Sequence, residues 1–462
     1  MESKVTVVAT RNETHSHQRP HLFRMLKVVT ITFFIVIIPL LTLIGTHRQF
    51  SEFSPIDEGA HYDYVKRIYS HGIPIMGDVM LMSSLNDISC YGVALDGLVL
   101  PPCDSNKVVP EAFPGGGLQY EAQQPPAYYF YAATVSPAFD LFGFGALGAL
   151  RATGLLLIIG ANFALYRASR LLKIPLLLFL PALGVLNFAP VVAYHQSIVS
   201  NDAAVLPIAS LIAYLVARNV TNRHTSTIWW IIVGLLAGLT KGTLLIACGV
   251  AFLFTLIWSF PSNQSLNFST VWRKTTRHRY IQQVGLLAIS AGVSTGIWSV
   301  FVTSTTKVPL NTLAPFDVLR GGAVSIQLIM RQALVGFSPL TQSFAPYNGL
   351  GPDSMAVINF VVNTSLITAC AAGVFVATRT WWRVAGPVIL IVQYLGTLAL
   401  GISIWRTYDM DPGLSSRYGL AATPFIILIL CAGIRRYFAQ IIFACAASIV
   451  ALLYAINIFA ST

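Results

Sequence analysis

The sequence predicts an all-α polytopic membrane protein, and three observations support that prediction. Hydrophobic residues make up 55% of the 462-residue chain and charged residues only 10%, whereas about a quarter of the residues in an ordinary soluble domain are charged. Apolar runs of about 18 residues or more, long enough to cross a hydrocarbon core, recur along the whole chain. The net charge of +11 comes from basic residues in short segments between these runs, as expected for the loops of a membrane protein.

Eleven apolar runs are candidates for transmembrane helices. The first, residues 28–45, follows a polar tail and is followed by no small-residue cleavage site, so we interpret it as a retained helix rather than a signal peptide. The tail, residues 1–24, is predicted to be cytoplasmic and disordered, and residues 25–460 to form a single transmembrane domain. The other ten runs cover residues 143–166, 174–194, 202–217, 227–239, 243–260, 284–304, 355–378, 384–403, 419–433 and 437–459.

The predicted orientation depends on residues 227–260, which form either one long helix or two short helices broken at Thr240-Lys241-Gly242. Two helices put most basic residues, including the cluster at 273–279, into short cytoplasmic loops, whereas one helix exports that cluster. Because basic loops stay in the cytoplasm, we expect two helices, a cytoplasmic N-terminus and an outer C-terminus. The positive charge then faces anionic lipid in dispersed loops, which argues against a nucleic-acid partner.

The first outer loop, residues 47–142, is the longest connection in this topology, and we expect it to carry helices that lie on the membrane surface. It contains Cys90 and Cys103, whose spacing could close a small loop on the oxidising side of a membrane. The sequence leaves open whether these two thiols pair. The other four cysteines lie in apolar runs, where a small hydrophobic residue is the ordinary interpretation.

The first polar motif, SPIDEGAHYDYV, follows the first apolar run and contains Asp57, Glu58 and His61. One interpretation is a helix start, with Ser54 as the N-cap and Asp57 completing a capping box. Capping explains neither Glu58 nor His61. On a helix that begins here, Asp57 and His61 share one face. The helix also carries an apolar stripe suited to lying on the membrane surface, formed by Tyr62, Val65 and Tyr69.

Two further motifs precede predicted helices on the same side. The stretch QYEAQQPPAYYFYAA places Gln124 before two prolines and Tyr128 after them, where the prolines start a helix and the tyrosines favour a membrane interface. A simple interfacial anchor is the alternative. The stretch HQSIVSNDAAVLP places His195 at the outer end of one predicted helix, with Asn201 and Asp202 at the start of the next. Asn201 could be only an N-cap.

Two cations lie near the ends of predicted helices. Lys241, in LAGLTKGTLL, lies between two short apolar segments, and an ionisable group near a membrane is costly enough to indicate function. The alternative is a lysine that snorkels to the interface. Arg417, in YDMDPGLSSRYGLAATP, offers the bidentate fork that phosphate oxygens accept. Its alternative partners are Asp409 and Asp411 of the same stretch.

These motifs, taken in order, resemble those of polytopic glycosyltransferases of the C-type fold, and most closely the bacterial family-39-like members. The features are an acidic pair after the first helix, Gln-Pro-Pro-x-Tyr-Tyr, Ser-Asn-Asp, Gly-Leu-x-x-Gly-Leu-Thr-Lys-Gly and a late Arg-Tyr, spread over residues 25–430. The resemblance implies transfer of a sugar from a polyprenyl-phosphate donor to an extracytoplasmic glycan, lipid or protein acceptor, usually with inversion. It also implies a bacterial plasma membrane with the site outside.

The resemblance assigns a role to each motif. Asp57 is the expected general base on the acceptor hydroxyl, with Glu58 and His61 orienting it. Asp57 and Glu58 are also candidate ligands of a divalent cation, Mg²⁺ or Mn²⁺. Lys241 and Arg417 are expected to stabilise the departing lipid phosphate. The remaining candidates for substrate or lipid-phosphate binding are Gln124, Tyr128, His195, Asn201 and Asp202.

Two departures and two alternative functions accompany this resemblance. Gly59-Ala60-His61 follows the acidic pair where the family often has an arginine-rich start, and the chain has no room for a large soluble carboxy-terminal domain. A transporter or flippase of lipid-linked sugars would also combine many spans with an outer polar cavity. A non-catalytic subunit of a glycan-assembly complex is the third possibility, for which the outer carboxylates would be dispensable.

Overall fold

The structure is a computed structural model, and it describes residues 19–49, 51–95, 97–104, 108–259, 279–308, 324–341, 352–376, 380–409 and 411–460. Over these residues the chain is helical, and its strand-like pairs are two isolated bridges. The predicted all-α class is therefore confirmed for this part of the chain. Most of the predicted tail, residues 1–18, lies outside the described residues, while the first helix already begins at Arg19.

The α-helices of the described residues are numbered here in chain order. A π-helix, Phe33–Ile37, joins the first two, and three short 3-10 turns at Glu121–Gln123, Asn201–Ala204 and Ser416–Gly419 carry polar residues. The helices are α1 (Arg19–Thr32), α2 (Ile38–Gln49), α3 (Glu58–Arg67), α4 (Met82–Tyr91), α5 (Ala127–Asp140), α6 (Gly145–Leu171), α7 (Leu176–Phe188), α8 (Pro190–Ser197), α9 (Val205–Val220), α10 (Thr227–Gly238), α11 (Leu244–Trp258), α12 (Arg279–Thr305), α13 (Ile326–Ala333), α14 (Pro352–Val376), α15 (Thr380–Tyr408), α16 (Thr423–Gly433) and α17 (Tyr437–Phe459).

Seven helices in the described residues are long and apolar enough to cross a membrane, or eight if the bent pair α7 and α8 forms one span. Each of the eleven predicted spans overlaps one of the helices or this bent pair. However, α10, α11 and α16 have only 12, 15 and 11 residues, fewer than the roughly 18 to 20 that a straight crossing needs. The chain is therefore a helical, polytopic membrane protein by length and composition, and the number of eleven crossings stays a prediction.

Helices α10 and α11 run in opposite directions, as the two-helix interpretation of residues 227–260 predicts. The start of α10 lies beside the start of α12, where Gln283 Nε2 donates to the Thr225 carbonyl oxygen at 2.8 Å. The end of α11 lies at the same place, because the rings of Trp258 and Tyr280 are 5.9 Å apart. The turn between α10 and α11 lies further along α12, so the two helices form a hairpin.

The helix ends separate the charges of the chain. Helices α6 and α9 begin at the end of the bundle that is covered by residues 51–126, and they finish with Arg170 and Arg218 in their last turns. Helix α12 begins with Arg279 near the last residues of α11. These basic helix ends share one side of the bundle, which we call the basic end. The covered side, which carries the acidic motifs, is called the loop end.

The described residues between 51 and 126 form a folded cap on the loop end. Cys90 and Cys103 are joined by a disulfide, which answers the question that the sequence left open. Arg67 Nη1 donates to Asp78 Oδ2 at 3.0 Å, and Lys307 Nζ, just beyond α12, donates to Asp78 Oδ1 at 2.5 Å. The cap is therefore crosslinked internally and tied to a membrane-length helix.

Helix α3 lies inside this cap, so the predicted membrane-surface stripe was wrong. Tyr62 and Val65 are buried in the main hydrophobic core, and the Tyr62 ring packs edge to face on Phe53. Tyr69 is the exposed member of the predicted stripe. Because α4 packs across α3, the apolar side chains that were expected to face lipid face other protein side chains.

Candidate functional site

Asp57 lies directly before α3 in a conformation that the sequence does not predict. It is the N-cap residue, with φ 58° and ψ 0° in the left-handed region, and its side chain makes no capping hydrogen bond. The alternative interpretation, a capping box with Ser54 as the N-cap, is therefore not formed. Ser54 Oγ instead accepts from the Ile56 N–H at 3.0 Å and hydrogen-bonds to the Tyr194 hydroxyl. Since a left-handed non-glycine residue costs about 1–2 kcal/mol, surrounding contacts must hold Asp57 in place.

The Asp57 carboxylate is influenced by one hydroxyl group and two cations. The Tyr120 hydroxyl and the charges of Arg417 and Lys241 favour its ionised form. Burial raises the pKa of Asp57 above the ordinary aspartate value, and the hydroxyl and the cations offset part of this effect. A carboxylate with a raised pKa accepts a proton more readily, which is the property required of a general base.

Asp202 is the centre of the cation cluster. Lys241 Nζ donates to Asp202 Oδ1 at 2.6 Å and to Asn201 Oδ1 at 3.0 Å. Arg417 Nη1 lies 3.3 Å from Asp202 Oδ2. Asp202 is buried, and a buried carboxylate is tolerated only when it is paired in this way. The sequence-predicted Asn201, Asp202, Lys241 and Arg417 therefore lie in one cluster.

The two cations reach this cluster from helix breaks. Lys241 occupies the turn between α10 and α11, and Arg417 lies in the 3-10 turn that leads into α16. Of the aspartates weighed as alternative partners, Asp411 accepts instead from Gln332 Nε2 at 2.6 Å. The Nε atom of Arg417 has no hydrogen-bond partner among the described residues, so one donor of its fork is available to a ligand.

Gln124 and Tyr128 position the cluster from the side. Gln124 Oε1 accepts from Asn201 Nδ2 at 2.9 Å, and the Tyr128 hydroxyl accepts from the Ser200 N–H at 3.1 Å. Both contacts hold the turn that carries Asp202. His195, at the end of α8, lies closer to the charges, with Nδ1 3.9 Å from Asp202 Oδ2. These contacts assign Gln124 and Tyr128 to positioning rather than to direct contact with the cations.

Glu58 was expected to orient Asp57 or to bind a divalent cation, but its carboxylate forms a buried ion pair with Arg151. Its two oxygens accept from Arg151 Nε at 2.8 Å and Arg151 Nη2 at 2.6 Å. They also accept from the N–H groups of Ser54 and Val199, at 2.7 and 2.8 Å. Because these donors occupy the buried carboxylate, the geometry does not support Glu58 as a catalytic group or as a metal ligand.

The geometry also lacks a ready ligand set for the expected Mg²⁺ or Mn²⁺. Within the described segments, no group of three or more His, Cys, Asp or Glu side chains is arranged to hold a metal ion. Asp57 would have to bind such an ion without Glu58, whose lone pairs face Arg151. The predicted pair of metal ligands is therefore not formed.

His61 turns toward a buried tyrosine and a second carboxyl. Its Nδ1 hydrogen-bonds to the Tyr129 hydroxyl at 2.7 Å, and its Nε2 lies 3.7 Å from Glu121 Oε2. Burial, together with the charge of Lys241, lowers the pKa of His61 well below its ordinary value. Because its imidazole is neutral, His61 is better suited to positioning the Glu121 carboxyl group than to acting directly on a substrate.

Sequence reasoning missed three residues that the fold brings to this region: Tyr120, Glu121 and Arg151. Tyr120 and Glu121 belong to the stretch from which only Gln124 and Tyr128 were selected. An isolated acidic residue between glutamines and aromatic residues was the available signal for Glu121. Arg151 offered a clearer one, because it is an arginine within an apolar span, where a buried partner is expected.

The assembled site contains the Asp57 carboxylate, whose pKa is raised, and the Glu121 carboxyl group. It also contains two cations, Lys241 and Arg417, which share the buried Asp202. It lies at the loop end of the bundle, next to helices that are apolar enough for lipid contact. No protein-family model matches the chain, and comparison with curated proteins finds no match either. The chemistry of this site must therefore be argued from its own geometry.

Proposed function

We propose that this protein is a membrane glycosyltransferase, which moves a sugar from a polyprenyl-phosphate carrier to a hydroxyl-bearing acceptor. The observation that carries the proposal is that Lys241 and Arg417, from helix ends far apart in sequence, both contact Asp202, at 2.6 and 3.3 Å. The charges of these two cations also act on Asp57. A base for the attacking hydroxyl and cations for the departing phosphate are the groups that such a transfer needs.

The proposed reaction uses these groups in one displacement. The Asp57 carboxylate accepts the proton of the acceptor hydroxyl while that oxygen attacks the anomeric carbon. The bond from the anomeric carbon to the phosphate oxygen breaks, and the phosphate leaves with the electron pair. Arg417, whose Nε has no hydrogen-bond partner in the described part of the chain, binds the leaving phosphate, and Lys241 adds positive charge. Attack opposite to the leaving group inverts the anomeric centre.

The surroundings of the site are consistent with a lipid donor. The helices that follow Asp202, Lys241 and Arg417 are apolar. In our proposal they contact the polyprenyl tail, while the polar cap receives a glycan, lipid or protein acceptor. The basic end of the bundle corresponds to the cytoplasmic face by the positive-inside rule. The site then faces outward, at a bacterial plasma membrane in our proposal, and the disulfide in the cap fits an oxidising compartment.

One observation favours a carrier of lipid-linked sugars as the second candidate. The pair α7 and α8 is bent by 59°, and its last turn carries His195, next to the buried Asp202. Broken helices that end at charged groups are typical of transporter binding sites. A carrier moves its substrate without breaking a glycosidic bond, so it does not need Asp57 as a base.

The Asp57→Asn variant tests the proposal, because asparagine tolerates the left-handed conformation but cannot accept the proton. Cells that lack the protein should accumulate a lipid-linked sugar, measured by mass spectrometry. Expression of the wild type should clear it, and D57N should fail to do so. Purified D57N should still bind undecaprenyl phosphate in native mass spectrometry.

The matched control is Asp140→Asn, an exposed aspartate at the end of α5, which should clear the lipid-linked sugar like the wild type. Unchanged lipid-linked sugars and unchanged surface glycans in cells that lack the protein would contradict the glycosyltransferase proposal. Restoration by D57N would support a carrier instead. An Asp57 variant without any effect, in a strain with a clear deletion phenotype, would favour a non-catalytic subunit.

A further inference from the structure

Glu121 is a buried carboxyl to which the proposed reaction gives no role. It lies in the 3-10 turn Glu121–Gln123 and is 5% exposed. Its Oε2 atom has no hydrogen-bond partner among the described residues. The imidazole Nε2 of His61 lies 3.7 Å from this atom. An unsatisfied buried polar atom costs about 1–3 kcal/mol, so this oxygen needs an explanation.

The turn that carries Glu121 is held from both sides. Gln119 Oε1 accepts from the Glu121 N–H at 3.0 Å, and Gln119 Nε2 donates to the Ala60 carbonyl oxygen at 2.9 Å. On the other side, Trp298 Nε1 donates to the Gln123 carbonyl oxygen at 2.7 Å. Because the backbone is fixed to α3 and to α12, the unpartnered oxygen is presented in a defined position.

A second unpartnered atom faces the same charges. His195 Nδ1 has no hydrogen-bond partner within the described part of the chain, although it lies 3.9 Å from Asp202 Oδ2. His61 links Glu121 to the start of α3, because its Nε2 lies 3.7 Å from Glu121 Oε2 and its backbone N–H donates to the Asp57 carbonyl oxygen at 3.1 Å. The charges of Asp57 and Asp202 also act on Glu121. Two buried polar atoms and the Nε of Arg417, all without hydrogen-bond partners among the described residues, indicate a ligand that offers several hydroxyl groups. A sugar has this chemistry.

We propose that Glu121 and Asp57 form one carboxyl pair, in which Glu121 binds a ligand hydroxyl as a neutral hydrogen-bond donor while Asp57 acts as the anion. This inference rests on the proposed function, because it assigns the ligand of Glu121 to the same sugar-transfer site. Glu121 is then a ligand-binding residue rather than a base, and His61 is a positioning residue that holds its carboxyl group.

Electrostatics support the division of roles within the pair. Burial is the largest effect on Glu121, and the charge of Asp57 adds to it, so that the pKa of Glu121 rises to about 8. Lys241 and Arg417 oppose this increase without cancelling it. The titratable and charged groups that face Glu121 from the surrounding elements are Asp57, His61, Tyr120, Tyr129, Asp202, Lys241 and Arg417.

The pair predicts how binding of an anionic ligand depends on pH. Below the pKa of about 8, Glu121 is neutral and donates a hydrogen bond. Above it, Glu121 loses its proton, and a second negative charge beside Asp57 repels the phosphate of the donor. Affinity for an anionic ligand therefore falls as the pH rises through this pKa. Glutamine has the same shape and no charge, so Glu121→Gln removes the dependence.

Binding of undecaprenyl phosphate to the purified full chain in nanodiscs provides the first test. Between pH values of about 7 and 9, the wild-type Kd should rise about tenfold, the change in the neutral fraction of an acid across such a pKa. The Kd of E121Q should stay constant over this range. Glu111→Gln changes an exposed glutamate of the same cap and should keep the wild-type profile. An E121Q profile equal to that of the wild type would overturn the proposal.

Infrared spectroscopy without ligand separates this inference from the proposed function. At neutral pH the wild type should show the carbonyl band of a neutral carboxylic acid, which E121Q lacks and E111Q retains. In D57N, where the neighbouring charge is absent, this band should disappear at a lower pH. If the wild type has no such band, the carboxyl pair is overturned. If the band behaves as expected but no variant binds undecaprenyl phosphate, the pair is supported and the proposed donor class is overturned.

Discussion

Asp57 and Glu58 are neighbours in sequence that have opposite environments, and the backbone is responsible for the difference. Asp57 stands outside α3 in a left-handed conformation, and the charges of Arg417 and Lys241 act on its carboxylate. Glu58 is the first residue of the helix and points toward Arg151. Two adjacent acidic residues therefore supply one functional group and one structural ion pair.

The Glu58 to Arg151 pair predicts a large stability effect at the residue scale. Arg151→Ala should lower the free energy of unfolding by about 3–5 kcal/mol, because it leaves the buried Glu58 carboxylate without its counter-ion. Thermal unfolding in detergent measures this loss. Lys66→Ala, which breaks the partly exposed pair with Asp87, should cost only about 0–1 kcal/mol. Equal melting temperatures for the two variants would contradict the structural role of Arg151.

Some residues of the site could be predicted from the sequence, and others could not. Asp202, Lys241 and Arg417 could be found because they are charged residues at the borders of apolar runs, where charge is costly. Tyr120 and Glu121 could not, because they lie in an irregular segment that has no hydrophobic period to mark a buried position. Their importance depends on the effect of the Tyr120 hydroxyl on Asp57 and on the effect of the Asp57 charge on Glu121, and both effects arise from tertiary structure.

At the scale of the element, the hairpin of α10 and α11 positions Lys241 through close packing of α10 on α12. A Cβ atom on Gly234 would clash with Ser290, and one on Gly238 would clash with Ser294 and the Ala291 carbonyl oxygen. Small residues four apart allow helices to approach closely in membranes. The last of these glycines lies three residues before Lys241, so helix packing sets the position of the cation.

Gly238→Ala should therefore disturb both stability and the site. The added methyl group forces α10 away from α12 and should cost about 1–3 kcal/mol, measured by thermal unfolding, with a parallel loss of affinity for undecaprenyl phosphate. Gly296→Ala is the matched control, because a Cβ atom there would meet no atom within 4 Å. A G238A variant as stable as G296A would mean that close helix approach is unimportant here.

At the scale of the whole molecule, the fold separates charge between its two ends. The basic end carries the last turns of α6 and α9, and the loop end carries the carboxylates, the cation cluster and the disulfide. Because the positive-inside rule acts on short basic loops, this separation predicts that the loop end faces away from the cytoplasm.

Labelling of single cysteines by a membrane-impermeant maleimide in intact cells measures this orientation. Val99→Cys, in an exposed position of the cap, should react from outside, whereas His224→Cys, in an exposed loop at the basic end, should react only after the membrane is opened. The background should carry Cys445→Ser, because Cys445 is an exposed free thiol. Labelling of His224→Cys alone in intact cells would reverse the proposed topology.

Hydropathy and charge were sufficient to predict the helical membrane class, the approximate positions of the apolar helices in the described residues and the antiparallel hairpin at residues 227–260, because burial in lipid and loop charge act on each segment separately. The contact partners of individual side chains could not be predicted from these local properties. Whether Glu58 binds Arg151, whether Cys90 meets Cys103 and whether Glu121 faces Asp57 depend on segments distant in sequence. Those pairings arise from packing between elements, which a local pattern does not contain.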